Sequence, residues 1–158
     1  MRSANFGSEA VPPAAVGVIT AFHRRQMALA VPDIRRVTEV LDMVRGDLVI
    51  DGWEVAAGAR REHGVPLTAT PGVEISADGW HPSGAALWIE TGRTWTNNAF
   101  LVHAIEAAMV PSLGTAVLAV REVYSGTETF ERCAGFLGAM WRSERFHMPY
   151  ESLILIGF

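Results

Sequence analysis

From residue 85 onward the chain reads as strand, helix, strand, helix, strand, and its strands are apolar at nearly every position. They are Ala85–Glu90 (AALWIE), Thr115–Val120 (TAVLAV) and 152–158 (SLILIGF); the helical stretches between them run over 94–110 and 127–145. A strand with one wet face alternates apolar and polar residues; a strand with none must lie in a sheet covered on both sides. The pattern therefore restricts the chain to an α/β architecture, a sheet covered by helices on both faces. One acid, Glu90, closes the first of these strands, and Gly92 breaks it. A carboxylate at the tip of a buried strand is costly unless it meets a cation, a hydrogen-bonding partner or water.

The chain has 158 residues, 49% hydrophobic and 19% charged, enough for one domain with a substantial core and too apolar for disorder. No apolar run approaches the roughly 18 residues of a membrane span. The N-terminus lacks the pattern of a secretory leader, and the single cysteine, Cys133, rules out an internal disulfide. A cytoplasmic protein is expected. The net charge of −4 argues against coating nucleic acid through bulk charge, but leaves room for a local basic groove. All 13 basic residues are arginines. Chemistry that requires a lysine base or Schiff base is therefore excluded.

Residues 1–15, with two prolines and no periodicity, read as a flexible N-terminal arm, and 16–158 as a single α/β domain. Helices are expected over 16–30 and 33–45, the second from the spacing of Ile34, Val37, Val40, Leu41 and Val44. Leu48 to Trp53 suggests a short strand or buried turn, 55–63 a helix closed by Gly64, and Pro66 to Pro71 a loop. Residues 73–78 alternate, and with 79–84 as a turn they predict a hairpin against 85–90.

Alternation places Glu74 and Asp78 on one face of the first hairpin strand, and Trp88 and Glu90 on one face of the second. If the faces coincide, Glu74, Asp78 and Glu90 converge and need a cation between them. Mg²⁺ suits such an oxygen set and could activate water against a phosphodiester. Arg93, Thr94, Asn97 and Asn98 follow at a helix start, where backbone amides and polar side chains suit a phosphate, or where a threonine simply caps the helix. Trp80, Trp88 and Trp95 cluster nearby and fit either core packing or stacking on a base or flat ligand. The five histidines show no zinc-ligand spacing, and Cys133 lies on an apolar helical stripe. No phosphate-binding or dinucleotide glycine motif and no nucleophile elbow occurs.

The hairpin, the Glu-Thr-Gly-Arg after its second strand, the Thr-Trp-Thr-Asn-Asn-Ala-Phe that follows and the helix–strand–helix–strand return resemble the restriction-endonuclease-like PD-(D/E)XK superfamily, nearest its BglII-type branch. The resemblance covers 22–158 as architecture and 73–100 as motif. It implies a mixed sheet flanked by helices, with N-terminal helices before it, and a Mg²⁺-dependent endonuclease acting on double-stranded DNA as a homodimer. Asp78 and Glu90 would bind metal, Glu74 would assist, Glu39 could add an acid, and Arg93 would hold a phosphate. The motif is incomplete: either Trp88 stands where the family has its second acid and Glu90 takes the last motif position, or Glu90 is that acid and Gly92 or Arg93 falls where lysine should be, and the chain has no lysine. Two other readings follow, an inactive member acting as a binding or assembly subunit, and a small-molecule enzyme or ligand-binding protein using the Trp-rich hairpin.

Overall fold

A computed structural model describes residues 1–30, 34–92, 98–122 and 129–158. The order is β1 (Arg2–Gly7), α1 (Pro13–Arg24), α2 (Gln26–Leu29), α3 (Val37–Ile50), β2 (Glu54–Val55), α4 (Arg60–His63), β3 (Val65–Thr70), β4 (Val73–Ala77), β5 (Gly79–His81), β6 (Ala85–Glu90), α5 (Ala99–Ala108), β7 (Thr115–Val120), α6 (Thr129–Arg142) and β8 (Ser152–Gly157). Six strands form one mixed sheet in the order β1-β8-β7-β6-β5-β2, and β3 and β4 form a separate antiparallel pair.

The three apolar strands are the centre of this sheet. β6, β7 and β8 run parallel in strict register, from Ala85 opposite Thr115 opposite Ser152 to Glu90 opposite Val120 opposite Gly157. Every residue of β7 and β8 is buried, so both faces of the sheet are covered. α5 and α6 connect these parallel neighbours and touch through Phe100 and Phe136, whose ring centroids are 6.0 Å apart. α1 packs on α3 and brings Phe22 into ring contact with Phe158, at 5.1 Å between centroids. No helix among the described residues is long and apolar enough to cross a membrane.

Several expectations need correction. Residues 2–7 are not a loose arm: β1 pairs antiparallel with β8 along its whole length, with Phe6 packed against the core. The prolines that suggested disorder stand after the strand, and Pro13 opens α1, a position where the missing N–H costs nothing. α3 runs through Gly46 to Ile50, so Leu48 is a buried helical residue rather than part of a strand. The stretch 55–63 holds only the one-turn α4, and 65–70 is a strand, burying Val65, Leu67 and Ala69 in alternation.

The hairpin is also differently built. β4 pairs with β3, and the partner of β6 is β5, a strand of three residues inside the stretch expected to be a turn. Asp78 is the corner between them. Its N–H donates to the carbonyl of Leu87, and its own carbonyl accepts from Ala56 N–H. Gly84 closes the hairpin with φ +88°, a conformation that favours glycine, and a Cβ there would sit 2.9 Å from the carbonyl of Ser112.

The pairing of β1 yields a prediction. Deleting residues 1–7 uncovers an edge of β8 and removes the packing of Phe6, so stability should fall by at least about 2 kcal/mol. Urea denaturation measures the loss, and hydrogen exchange should show faster amide exchange along β8.

Candidate functional site

The site lies at the end of β6, where four elements meet. Asp78 is held at the β4–β5 corner, Glu90 at the tip of β6, Arg60 on α4, and His103 with Glu106 on α5. Asp78 is fully buried, and it reaches this position because both of its backbone groups are tied into the sheet.

Arg60 joins these parts. Its Nη1 donates to Asp78 Oδ2 at 2.5 Å and to the carbonyl of Ile89 at 3.2 Å, while Nη2 donates to Glu90 Oε1 at 2.6 Å. Asp78 Oδ2 also accepts the N–H of Ile89 at 2.7 Å, and Asp78 Oδ1, buried, has no hydrogen-bond partner among the described residues. His103 continues the network. Its Nε2 lies 2.6 Å from Glu90 Oε1 and its Nδ1 2.7 Å from Glu106 Oε2. Both nitrogens face carboxylate acceptors, so the ring satisfies both bonds only as imidazolium. Nη2 of Arg60 and Nε2 of His103 are 3.3 Å apart because they share the same acceptor oxygen. Below the ring, the Trp88 indole stacks on His103 at 5.9 Å between centroids and 12° between planes, and its Nε1 donates to the carbonyl of Ser76 at 3.1 Å.

The electrostatics follow from burial opposed by pairing. Burial pulls His103 down, but its bonds to Glu106 and Glu90 outweigh this and raise it above its ordinary 6.5. Burial pushes Glu90 up, and the bond from His103 and the charge of Arg60 carry it below its ordinary 4.5. For Asp78 burial wins and raises its carboxyl, against the pull of Arg60 and the Ile89 N–H. Burial lowers Arg60, but Asp78 and Glu90 more than offset it and hold the guanidinium above its usual range.

A cleft of about 750 Å³ opens beside this network. Its walls include Arg60 and Arg61 of α4, Arg35 and Arg36 just before α3, and His103 and Glu106 of α5. Thr91 Oγ1 donates to the carbonyl of Arg35 at 2.8 Å, fixing the end of β6 to the segment that carries the two arginines. Arg35, Arg36 and Arg61 are exposed.

Of the expected site residues, Asp78 and Glu90 are brought together, on either side of the Arg60 guanidinium. Glu74 is exposed on β4 and lines the cleft instead of joining them. Its strand belongs to the β3–β4 pair rather than to the hairpin with β6, so its face does not coincide with that of Glu90. Glu39 is not an extra acid at the site. It caps α3, accepting the backbone N–H groups of Arg35 and Arg36, and these bonds lower its carboxyl. Asn98 starts α5 with a left-handed φ of 55° and makes no side-chain capping bond. Arg93, Thr94, Trp95 and Asn97 lie outside the described residues.

Trp88 is fully buried beneath His103 and offers no face to a ligand, while Trp80 is half-buried at a separate cleft with Glu54 and Pro66. Cys133 is a core residue whose thiol burial pushes up to about 12. Arg60, His103 and Glu106 were not foreseen. The spacing His103-x-x-Glu106 inside an otherwise apolar helix was a usable signal, since (i, i+3) residues share a face. Arg60 gave none, because α4 is a single turn with no buried residue.

The residues present do not fit Mg²⁺ as they stand. Both expected metal-binding carboxylates are engaged by one guanidinium, and among the described residues no group of three or more histidine, cysteine or acidic side chains is arranged for a metal ion. The network sets three carboxylates against Arg60 and His103, so positive charge at the cleft comes from Arg35, Arg36 and Arg61 on its walls. Comparison with known proteins found no matching family model and no matching curated protein.

The network predicts a two-sided pH dependence of stability. His103 is raised, so its contribution is fully present below 6.5 and is lost as pH rises through its higher value in the fold. Glu90 is lowered, so its contribution is present above 4.5 and is lost as pH falls through its value in the fold. Denaturation midpoints across pH should show both limbs, and His103→Phe should flatten the alkaline one. Asp78→Ala leaves the Ile89 N–H without its acceptor and removes half of the Arg60 clamp, and should cost about 3 kcal/mol.

Proposed function

We propose that this protein binds the phosphodiester backbone of nucleic acid, with duplex DNA as the first ligand, through the arginine-lined cleft, and that it does so without hydrolysing it. The observation that carries this reading is the placement of Arg35, Arg36, Arg60 and Arg61 around one cleft in a chain whose net charge is −4. Arg60 is paired with Asp78 and Glu90, and Glu74 and Glu106 share the lining, so the guanidiniums open to a ligand are the exposed Arg35, Arg36 and Arg61, whose forks match phosphate oxygens in geometry.

The likeness to restriction endonucleases supports the same ligand class. The β5–β6 hairpin is followed by α5, β7, α6 and β8, an order compatible with that likeness although its first strand is not the expected 73–78, and Asp78 and Glu90 lie on either side of Arg60. The missing hydrolysis rests on the site itself. One member of the acid–acid–lysine triad is missing, no lysine exists to polarise water, and Arg60 holds Asp78 and Glu90. An inactive member of that fold, serving as a binding subunit, fits these residues better than an endonuclease does.

Binding to duplex DNA should therefore weaken steeply with salt, with log K linear in log salt. Arg36→Ala and Arg61→Ala should each flatten the slope by about 0.9. Fluorescence anisotropy with a labelled duplex measures this. The same DNA incubated with Mg²⁺ or Mn²⁺ should remain intact. Cleavage that disappears in Asp78→Ala would replace this reading with the endonuclease, and binding insensitive to salt and to both arginines would exclude nucleic acid at the cleft.

A further inference from the structure

We infer that Glu39 and Thr91 are positioning residues for phosphate binding, and that together they fix the backbone of Arg35 and Arg36 on the wall of the cleft. Glu39 Oε2 accepts two consecutive amides, Arg35 N–H at 2.9 Å and Arg36 N–H at 2.8 Å. Thr91 Oγ1 donates to the carbonyl of Arg35 at 2.8 Å. Both backbone groups of Arg35 are thus held by side chains, one from the first turn of α3 and one from the end of β6. Ile34, buried in the core, anchors the residue before them. This role rests on the phosphate-binding reading of the cleft.

Arg36 has extended dihedrals, φ −116° and ψ 141°, so the two arginines precede α3 and no helical ladder holds their amides. Their side chains are exposed. Exposed arginines on a loose segment lose backbone and rotamer freedom when a ligand orders them, and affinity falls accordingly; a segment ordered by the fold has already lost it. Glu39, at the third helical position, reaches back to the amides that the helix leaves open. Thr91, 5% exposed, ties the same segment to the sheet. It follows Glu90, which accepts Arg60 Nη2 at 2.6 Å. Two consecutive residues at the end of β6 therefore hold both arginine-bearing walls, 35–36 through a carbonyl and 60–61 through a guanidinium.

Glu39 separates positioning from charge by sign. A carboxylate beside a phosphate site repels the ligand, so its removal tightens binding if charge is all that it contributes. Positioning gives the opposite result, because Glu39→Ala frees two amides and loosens both arginines. Glu39→Gln keeps a carbonyl oxygen within reach of those amides and drops the charge, so it should bind at least as tightly as wild type. Thr91 is tested in the same way: Thr91→Val keeps the shape and removes the donor, and Thr91→Ser keeps the donor.

The test is fluorescence anisotropy of a labelled DNA duplex with the full chain at one fixed salt concentration. Glu39→Ala and Thr91→Val should each bind about fivefold more weakly than wild type, the penalty of ordering the segment on binding. Thr91→Ser should restore wild-type affinity. In a chain carrying both Arg35→Ala and Arg36→Ala, neither Glu39→Ala nor Thr91→Val should weaken binding further, whereas a general loss of structure would weaken it in either background. Amide hydrogen exchange followed by NMR without DNA reads the pinning directly: the Arg35 and Arg36 amides should exchange faster in Glu39→Ala, and those of β7 should keep their wild-type rates. If Thr91→Val does not fold, Glu39→Ala, at an exposed position, carries the test. Glu39→Ala binding as tightly as wild type or tighter overturns the inference while the dependence on Arg36 and Arg61 stands, and so does a weakening that persists without Arg35 and Arg36. Wild type whose binding ignores salt and both Arg36 and Arg61 removes the cleft reading and this role with it.

Discussion

The contact on which the site depends is the fork of Arg60 between Asp78 and Glu90. Asp78 sits where β4 turns into β5, Glu90 at the tip of β6, and Arg60 on a helix of one turn that has no buried residue of its own. One turn of helix cannot hold a position by propensity, because nucleation costs more than so few bonds return. The two ion pairs therefore position α4, and with it the Arg60–Arg61 wall of the cleft. Through Glu90 the same clamp reaches His103 and Glu106 on α5, the opposite wall, which Phe100, Ala104 and Ala107 anchor in the core. Desolvation makes such a cluster expensive to assemble and more expensive to break, because removing any one member leaves a buried charge without its partner.

The sheet explains how side chains so distant in sequence meet. β6, β7 and β8 are apolar throughout because both of their faces are covered, and polar groups can appear only where a strand ends. Glu90 is the last residue of β6, and Arg121, whose N–H donates to the carbonyl of Glu90 at 3.0 Å, immediately follows β7. Ligands of open α/β sheets gather at the carboxyl ends of the strands for the same reason. The position of the cleft is thus a consequence of the burial pattern.

Legibility in the sequence followed range. The three core strands and their helices were readable because uninterrupted apolar runs and 3.6-residue periodicity are local signals; Thr115–Val120 was placed to the residue. The pairing of β1 was not readable, since Arg2–Gly7 becomes a strand only through β8, which is 145 or more residues away. The hairpin partner was misplaced for a similar reason. Residues 73–77 form the expected strand, but Val73 is exposed and Asp78 buried against the alternation, and which strand they pair with is decided by β3, a segment that two prolines disguised as a loop. Asp78 and Glu90 could be anticipated as neighbours. Their cation could not, because Arg60 looks like any exposed arginine until the chain brings α4 against the end of β6.

The identity of that cation matters. A lysine ammonium is a point charge that could approach one carboxylate well; a guanidinium has two terminal nitrogens in a fixed plane. Here Nη1 serves Asp78 and the Ile89 carbonyl while Nη2 serves Glu90, so a single side chain spans two acids anchored at different points of the sheet. A metal ion at the same oxygens could be lost to a chelator and would leave the acids repelling each other. Arg60 is covalently part of the chain and is held charged by the pair it joins. The geometry of the acids is therefore the same at any metal concentration. Permanence has a chemical consequence too. A guanidinium gives its donors to the two acids and has no coordination position at which to activate water, and its charge is offset by the carboxylates it joins.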